Sequence, residues 1–394
     1  MASESHAIVF GAAGLLGWAT LNQLLSGYPS EKPFSRVTSA LNRSVSEEDL
    51  CLPSGPDRPS LEIVSGVNLL QGTGEDLARQ LREKIKDVET ITHVFYFVFA
   101  PFDTDHIQEC NQNCAIMQRV ADAMNIVAPR LQSFVYPGGS RGYGIYIPNG
   151  TFKPPLTESM ADTLPPDYAK TVAYPWFRQV LTAASKDREW TWSEVCPDAV
   201  VGFSPNGSGY SLALHWAQYL SLFAFNNKNQ IEKEGVVEVP FPGNEAGYRS
   251  LYTPVSGSIL GRISIHAALH GEECGGKVIN MMDNDKPVSA SDLWPGIAAW
   301  FGLKGVGPSD NGGLKPSEYI DKYRHLFAEN GKPKGLTCGV GVGNKQLDSV
   351  GWWLGFDRQF SPKRLRGVGF TEQRDPLEGW TEAFERFRGA GIIF

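Results

Sequence analysis

Three glycines near the N-terminus constrain the fold of this chain more than any other feature. They follow an apolar, strand-like run at residues 7–10, stand with two residues between successive members, and lead into an apolar helix predicted over residues 18–25. Glycine tolerates the backbone angles of a tight turn and lets both a phosphate and the next helix approach the main chain. Free N–H groups and the positive end of the helix dipole then point to the turn. The pattern predicts a dinucleotide site at Gly11, Gly14, Leu15, Leu16 and Gly17.

Strand-like and helix-like segments alternate over the first two hundred residues. Strands are predicted at residues 37–41, 61–65, 92–97, 133–136 and 192–195, with helices at 74–85, 107–128 and 173–185. Such a repeat predicts an α/β fold with a Rossmann-type doubly wound parallel sheet. Beyond residue 200 the pattern loosens, with a short strand predicted at 277–282. We expect an NADP(H)-binding domain over residues 1–200 and a smaller, mixed substrate lobe over 201–394, partly interleaved with it.

Composition excludes several classes of protein. The chain has 394 residues, 42% of them hydrophobic, and a formal net charge of -7. Neither nucleic acid nor an anionic membrane attracts an acidic chain, so neither is an expected partner. The residues before the first strand lack the features of a signal peptide, and no apolar run approaches the roughly 20 residues of a spanning helix. The six cysteines include no CxxC pair, so we expect a cytoplasmic protein without disulfides or bound zinc.

The end of the second predicted strand identifies the expected nucleotide. The strand runs into Asn42, Arg43 and Ser44, and the acidic residue that would bind the 2′-hydroxyl of NAD is missing. A guanidinium pairs well with a 2′-phosphate, so Arg43 favours NADP(H). Asn68, after the third strand, is a candidate for contact with the adenine edge. A solvated arginine in a loop is the alternative for Arg43.

Six ordered segments carry a resemblance to a known family over most of the chain. They are residues 11–17, 92–96, 137–144, 191–193, 197–205 and 293–297. Together they resemble the progesterone 5β-reductase and iridoid synthase group of short-chain dehydrogenases, particularly its fungal relatives. The resemblance implies reduction of an enone by NADPH, and it adds Pro197 and Val200 to the expected cofactor contacts.

The chain departs from this family at the residues of the chemistry. The resemblance implies a lysine after the fifth strand that orients the ribose, and a tyrosine at the start of the next helix that stabilises a developing oxyanion. Arg141 stands at the lysine position, and counting back without gaps from Trp192 puts Ala173 at the tyrosine position. Tyr174 is one residue away. That offset turns a side chain by about 100 degrees around a helix.

Three hypotheses remain open for this departure. In the first, Tyr174 supplies the hydroxyl and Arg141 is a fixed positive charge that cannot donate a proton near neutral pH. In the second, Tyr174 and Arg178 form a Tyr-x-x-x-Arg pair on one helix face. In the third, the proton-handling pair is lost and the scaffold performs a cyclisation or an isomerisation. A core position for Tyr174 and a surface position for Arg141 are the structural alternatives.

Aromatic residues follow the predicted strand ends and continue into the C-terminal half. The expected substrate pocket contains Phe99, Tyr143, Tyr146, Phe203 and Tyr210. Strand ends of this type of sheet face the nicotinamide, so the pocket should be large, aromatic and sparing in charge. The sequence therefore predicts a hydrophobic small-molecule partner, a bulky enone or ketone of specialised metabolism. The seven histidines show no metal-ligand spacing, and a homodimer is left open.

Overall fold

Strands and helices alternate along the first two hundred residues as the sequence predicts. The computed structural model describes residues 5–56, 58–102, 105–309, 315–338 and 345–394. Its strands are β1 (Ser5–Phe10), β2 (Phe34–Ala40), β3 (Ser60–Val64), β4 (His93–Tyr96), β5 (Ser133–Pro137), β6 (Thr191–Cys196), β7 (Ala199–Val201), β8 (Glu238–Pro240), β9 (Pro254–Ser256), β10 (Lys277–Asn280) and β11 (Lys304–Val306).

The helices divide between the sheet layers and the C-terminal half. They are α1 (Leu15–Leu25), α2 (Gly74–Lys84), α3 (His106–Val127), α4 (Pro166–Ala169), α5 (Tyr174–Ser185), α6 (Leu212–Asn226), α7 (Lys228–Glu234), α8 (Glu245–Arg249), α9 (Gly257–Leu269), α10 (Gly271–Cys274), α11 (Ala290–Trp300), α12 (Pro316–Tyr323), α13 (His325–Glu329), α14 (Lys334–Thr337), α15 (Lys345–Trp353), α16 (Lys363–Gly367) and α17 (Pro376–Gly389). Short 3₁₀ turns occur at Val88–Thr90, Ser140–Tyr143 and Glu158–Asp162.

Seven strands form one sheet in the order β3-β2-β1-β4-β5-β6-β10, and every neighbouring pair is parallel. At the centre, Ala7 of β1 is paired with Val37 of β2 on one side and with His93 of β4 on the other. Strands β2 and β3 lie on one side of β1, and β4, β5, β6 and β10 lie on the other. The connections from β1 and β4 therefore leave in opposite directions, and a crevice forms at the carboxyl ends of these two strands. The predicted Rossmann-type doubly wound sheet is confirmed.

Side chains along β1 show how the sheet is covered. Ala7 and Val9 pack in the cluster that contains the apolar residues of α1 and α9, whereas Ile8 and Phe10 pack with those of α2, α3 and α5. Successive residues of a strand point to opposite faces, so a strand covered on both sides is apolar throughout. This explains why the first strand reads as an unbroken apolar run rather than as an alternating pattern.

The C-terminal half contributes both to this sheet and to a lobe of its own. The strand predicted at residues 277–282 is β10, which lies beside β6 at the edge of the main sheet. The lobe surrounds a third buried cluster that includes Trp216, Trp294 and Trp380. Two small parallel sheets join β7 to β9 and β8 to β11. The expected smaller mixed lobe is therefore present, while its boundary at residue 200 stays a prediction.

Close packing of α1 against α9 depends on a glycine in α9. A Cβ atom at Gly261 would lie 2.7 Å from the carbonyl oxygen of Ala19 and 2.8 Å from the Gln23 side chain. One turn earlier, a Cβ at Gly257 would meet its nearest neighbours at 3.5 Å, which is ordinary contact. The two helices can approach closely only because residue 261 has no side chain.

We expect Gly261→Ala to destabilise the protein although alanine is the better helix former. The added methyl group meets main chain that cannot move aside freely, so the free energy of unfolding should fall by about 1–3 kcal/mol. Gly257→Ala is the matched control and should change it little. Urea denaturation followed by circular dichroism measures both, and equal stabilities for the two variants would contradict the packing argument.

Candidate functional site

A cavity of about 680 Å³ lies at the carboxyl edge of the sheet. Its lining comes from the turn after β1, the ends of β4, β5 and β6, the start of α5, and the C-terminal lobe. Ligands of open parallel sheets bind at this edge. The predicted site residues that line it are Gly14, Leu15, Leu16, Phe99, Arg141, Tyr146, Tyr174, Pro197, Val200 and Tyr210.

The glycine turn after β1 leaves open space where a phosphate would lie. Gly11 has a φ of +78°, and a Cβ there would lie 2.5 Å from the carbonyl oxygen of Phe97. A Cβ at Gly17 would lie 2.2 Å from the carbonyl oxygen of Gly11. Helix α1 can therefore pack this closely against the turn only because residue 17 has no side chain. Gly14 caps α1 without a side-chain hydrogen bond, and the first turn holds no acidic residue. These residues fit a dinucleotide pyrophosphate held by main-chain N–H groups.

The other predicted cofactor residues lie at the ends of β2 and β3 and do not line the cavity. Asn42, Arg43 and Ser44 are exposed just beyond β2, the strand next to β1. Asn68 is also exposed, and its side-chain oxygen accepts a hydrogen bond from the N–H of Leu70 at 2.9 Å. Asn68 therefore stabilises a local turn. Arg43 lies at the carboxyl edge of the sheet, as the glycine turn does.

Tyr174 lies against the loop of residues 138–144 that follows β5, called the glycine loop below. It is the first residue of α5, and Pro175 in the first turn favours a helix start at this point. A Cβ at Gly139 would lie 3.0 Å from the Tyr174 hydroxyl oxygen, and one at Gly142 would lie 3.3 Å from its ring. Burial raises the pKa of Tyr174 well above its usual range, although the charge of Arg141 opposes the shift. Tyr174 is therefore a neutral hydrogen-bond donor at neutral pH.

Arg141 is a fixed cation beside Tyr174. One guanidinium nitrogen donates to Glu109 Oε1 at 2.7 Å, and another donates to the carbonyl oxygen of Thr171 at 3.0 Å. The guanidinium carbon lies 5.1 Å from the centre of the Tyr146 ring. Burial lowers the pKa of Arg141, but the hydrogen bond to Glu109 and the nearby Tyr174, Glu109 and Tyr146 together outweigh burial and raise it. The side chain polarises its surroundings and stays protonated.

Three of the predicted catalytic and substrate-pocket residues lie away from the cavity. Arg178 donates to the buried Glu194 carboxylate at 3.0 Å, so the structure does not bring together the hypothetical Tyr174–Arg178 pair at the cavity. Tyr143 is buried and donates to Asn280 Oδ1 at 2.6 Å. The ring of Phe203 packs in the core, with its centre 4.7 Å from that of Trp18. Aromatic side chains near strand ends thus divide between core and cavity, and spacing in the sequence does not distinguish them.

One wall of the cavity was not predicted from the sequence. It is formed by α15 and the residue after it, and its lining residues are Leu347, Val350, Gly351, Trp353 and Leu354. The carbonyl oxygen of Gly351 accepts a hydrogen bond from the N–H of Asn244, and that of Leu354 accepts one from the Ser250 hydroxyl at 2.8 Å. No local pattern marks this helix as a wall, because its partners are about a hundred residues away in sequence.

Asp348 attaches the same helix to the C-terminal lobe. Its Oδ1 lies 2.8 Å from Nε2 of His215, on α6, and accepts a hydrogen bond from the N–H of Ser317 at 2.9 Å. Burial opposes ionisation, but these hydrogen bonds outweigh it and hold the pKa of Asp348 below its usual range. The wall is thereby tied to α6 and α12 through one ionised carboxylate.

A buried ion pair also lines the cavity. Asp198 lies between β6 and β7, and its Oδ2 lies 3.1 Å from Nε of Arg358, which follows α15. The two residues are far apart in sequence, so nothing in the pattern connects them.

Within the described ranges, no group of three or more His, Cys, Asp and Glu side chains could hold a metal ion. None of the described helices is long and apolar enough to cross a membrane.

The model of the PRISE-like Rossmann-fold domain matches residues 7–394. The chain belongs to this family. It is 29% identical to the short chain dehydrogenase ausT of Aspergillus calidoustus over 99% of this chain and 95% of that protein. It is 31% identical to the short chain dehydrogenase sirS of Leptosphaeria maculans, over 98% of this chain and 97% of the other.

A plant relative and two solved structures extend the comparison. The (S)-8-oxocitronellyl enol synthase of Camptotheca acuminata is 24% identical over 79% of this chain and 77% of its own length. A GDP-mannoheptose C4 reductase from Campylobacter jejuni with NADP bound is similar with a TM-score of 0.60 at 12% identity, covering 98% of this chain and 99% of that one. A short-chain dehydrogenase/reductase from Agrobacterium tumefaciens with bound NAD has a TM-score of 0.55 at 15% identity, covering 98% and 97%. Both likenesses concern the fold.

Gly14→Val tests whether the glycine turn holds a nucleotide. Among the described residues, a Cβ at Gly14 would meet only the carbonyl oxygen of Gly11 within 4 Å, at 3.3 Å, so the fold should survive. The branched side chain would fill the space of the pyrophosphate, and we expect NADPH affinity to fall by at least about 100-fold. Gly367→Val is the control, because a Cβ there meets nothing within 4 Å in the part of the chain that the structure describes. Unchanged affinity of the Gly14 variant by calorimetry would exclude this turn as the site.

Proposed function

We propose that the protein is a cytoplasmic, NADPH-linked reductase of a bulky hydrophobic enone or ketone in specialised metabolism. One observation carries the proposal: the Tyr174 hydroxyl lies against Gly139 in the same cavity that contains the glycine turn at Gly14. A hydrogen-bond donor and a nucleotide-binding turn are thus combined at one edge of the sheet. That combination is what reduction of a carbonyl compound by a nicotinamide requires.

The choice of NADP(H) rests on Arg43. The similar solved structures contain NAD in one case and NADP in another, which supports a nicotinamide cofactor without choosing between them. Arg43 is exposed just beyond β2, and no acidic residue occupies the three positions 42–44. A 2′-phosphate there would gain a charge-assisted bond, whereas a 2′-hydroxyl would find no carboxylate acceptor among these residues.

Each side chain has a definite part in the proposed reaction. When bound, the reduced nicotinamide supplies a hydride. Tyr174 donates a hydrogen bond to the substrate oxygen, and this bond strengthens as negative charge develops there. Arg141 adds a positive charge nearby, and hydrogen bonds to Glu109 and the Thr171 carbonyl hold it there. The aromatic walls keep water away, which strengthens both effects.

Arg43→Ala should separate the two nucleotides. Loss of a charge-assisted bond to the 2′-phosphate should weaken NADPH binding by about 10- to 100-fold and leave NADH binding nearly unchanged. Arg79→Ala is the control, since Arg79 lies on α2 with 67% of its side chain exposed and pairs with Asp76. Fluorescence titration of both nucleotides gives the comparison. Equal losses for NADPH and NADH would remove Arg43 from the site.

Tyr174→Phe should impair turnover without affecting the fold. The substitution keeps the ring that packs on Gly139 and Gly142 and removes only the hydroxyl. With an enone substrate, kcat should fall by about 100-fold or more, as for loss of a single oxyanion donor, while the melting temperature changes little. Tyr323→Phe serves as the control, because Tyr323 packs on Tyr319 outside the cavity. NADPH oxidation at 340 nm measures turnover, and a nearly unaffected kcat would exclude Tyr174 as the donor.

A non-redox cyclase or isomerase is the second candidate. Arg141 favours this function, because a guanidinium stays protonated near neutral pH and cannot relay protons. Its hydrogen bonds to Glu109 and Thr171 hold the charge in place. The site is therefore better suited to polarise a carbonyl group than to transfer a proton through Arg141. A relative at 24% identity is named as an enol synthase. Product that forms from a candidate substrate after the nucleotide has been removed would select this function over the reductase.

A further inference from the structure

The proposed reduction needs a proton that neither Tyr174 nor Arg141 is suited to supply. Hydride addition to the β-carbon of an enone moves the electrons of the C=C bond toward the carbonyl oxygen, and the α-carbon of the resulting enolate must then gain a proton. In the proposed reaction Tyr174 faces the oxygen, two bonds from that carbon, and burial raises its pKa well above the usual range. The raised pKa of Arg141 keeps its guanidinium protonated. The site therefore needs a further proton donor.

His106 is the only histidine among the described residues that line the cavity. Its side chain is 47% exposed, so the imidazole is accessible to solvent as well as lining the ligand space. The two carboxylates of the described lining, Glu109 and Asp198, are instead paired with arginines. Histidine is the residue type that most readily changes its charge near neutral pH. An imidazole here can give a proton to a ligand and regain it from solvent.

His106 lies beside the cation that polarises the carbonyl group in the proposed reaction. Its Nδ1 is 3.8 Å from Oε1 of Glu109, the same oxygen that accepts the 2.7 Å hydrogen bond from Arg141. The centre of its ring is 6.3 Å from that of Tyr146, and the guanidinium of Arg141 lies over the same Tyr146 ring. A shared carboxylate and a shared aromatic ring thus place His106 and Arg141 on one wall of the cavity.

The start of α3 holds the imidazole in place. His106 is the first residue of this helix. Asp105 caps the helix by accepting hydrogen bonds from the N–H groups of Ile107 and Gln108 at 3.0 and 2.9 Å. The Glu109 carboxylate, one turn along, attracts a proton on Nδ1. With Nδ1 directed to Glu109, Nε2 is the ring nitrogen left for a ligand, and both nitrogens of an imidazolium are donors.

We propose that His106 is the proton donor to the α-carbon of the substrate. The imidazolium releases the proton on Nε2, the electron pair of the enolate forms the new bond from the α-carbon to this proton, and the carbonyl double bond is restored. The neutral imidazole then regains a proton from solvent. The inference rests on the proposed function in taking the substrate for an enone. It makes His106 a catalytic residue beside Tyr174 and Arg141.

Deuterium exchange tests this proton step without hydride transfer. The probe is dihydro-β-ionone, the saturated ketone that reduction of the enone β-ionone would give. In heavy water with oxidised NADP present, the protein should exchange the hydrogens of the CH2 group next to the carbonyl, because their loss is the reverse of the proposed step. Nuclear magnetic resonance follows the exchange. We expect it to be about 100-fold faster than without protein, and His106→Gln to lose most of this acceleration.

A matched control and chemical rescue separate proton transfer from folding. His325→Gln is the control, because His325 is also exposed and also begins a helix but does not line the cavity. Imidazole added to the solution should restore exchange by His106→Ala at least about tenfold. The melting temperature and the NADP affinity of both His106 variants should stay close to those of the wild type.

Each contrary result overturns the inference. These results are a wild-type protein that does not accelerate the exchange, a His106→Gln variant that exchanges within about threefold of the wild-type rate, and a loss in His106→Ala that imidazole does not restore. Oxidation of NADPH with β-ionone at 340 nm tests the proposed function separately. Exchange that depends on His106 without NADPH oxidation contradicts the reductase alone. NADPH oxidation that His106→Gln leaves unaffected contradicts the inference alone.

Discussion

Parallel pairing of the central strands is the constraint on which the candidate site depends. Because β1, β4, β5 and β6 all run in the same direction, their carboxyl ends meet at one edge, and loops that are distant in sequence share a cavity. The glycine turn adds a second requirement, since Gly11 and Gly17 leave no room for a Cβ. Together, the strand directions and this close approach bring Gly14, Gly139 and Pro197 to the same space.

Charge at the site is buried but balanced. Arg141 is paired with Glu109, Arg358 with Asp198, and Arg178 with Glu194 behind the glycine loop. A lone buried charge would strongly destabilise the fold, and pairing reduces this effect. The cavity therefore offers local electric fields without a large net charge. We propose that these fields polarise the oxygen of a neutral carbonyl substrate.

The sequence predicted the sheet and the glycine turn after β1 well because both follow local rules. The glycine spacing, the apolar run before it and the alternation of elements are all readable within short windows. The sequence did not distinguish Tyr143 and Phe203, which are in the core, from Phe99 and Tyr146, which line the cavity. Nor did it indicate Arg358, whose partner Asp198 is joined to it only by the folding of the C-terminal lobe. Tertiary contacts, rather than spacing, decide these positions.

The wall formed by α15 has a consequence for how this kind of protein diversifies. The segments that shape the far side of the cavity, attached through Asp348 to His215 and Ser317, lie late in the chain, whereas the glycine turn lies at its beginning. Exchange of side chains along this wall changes the shape of the space without touching β1 or α1. The chain thus separates, along its length, the turn proposed to hold the cofactor from the wall that shapes the rest of the cavity, and the second can change while the first is preserved.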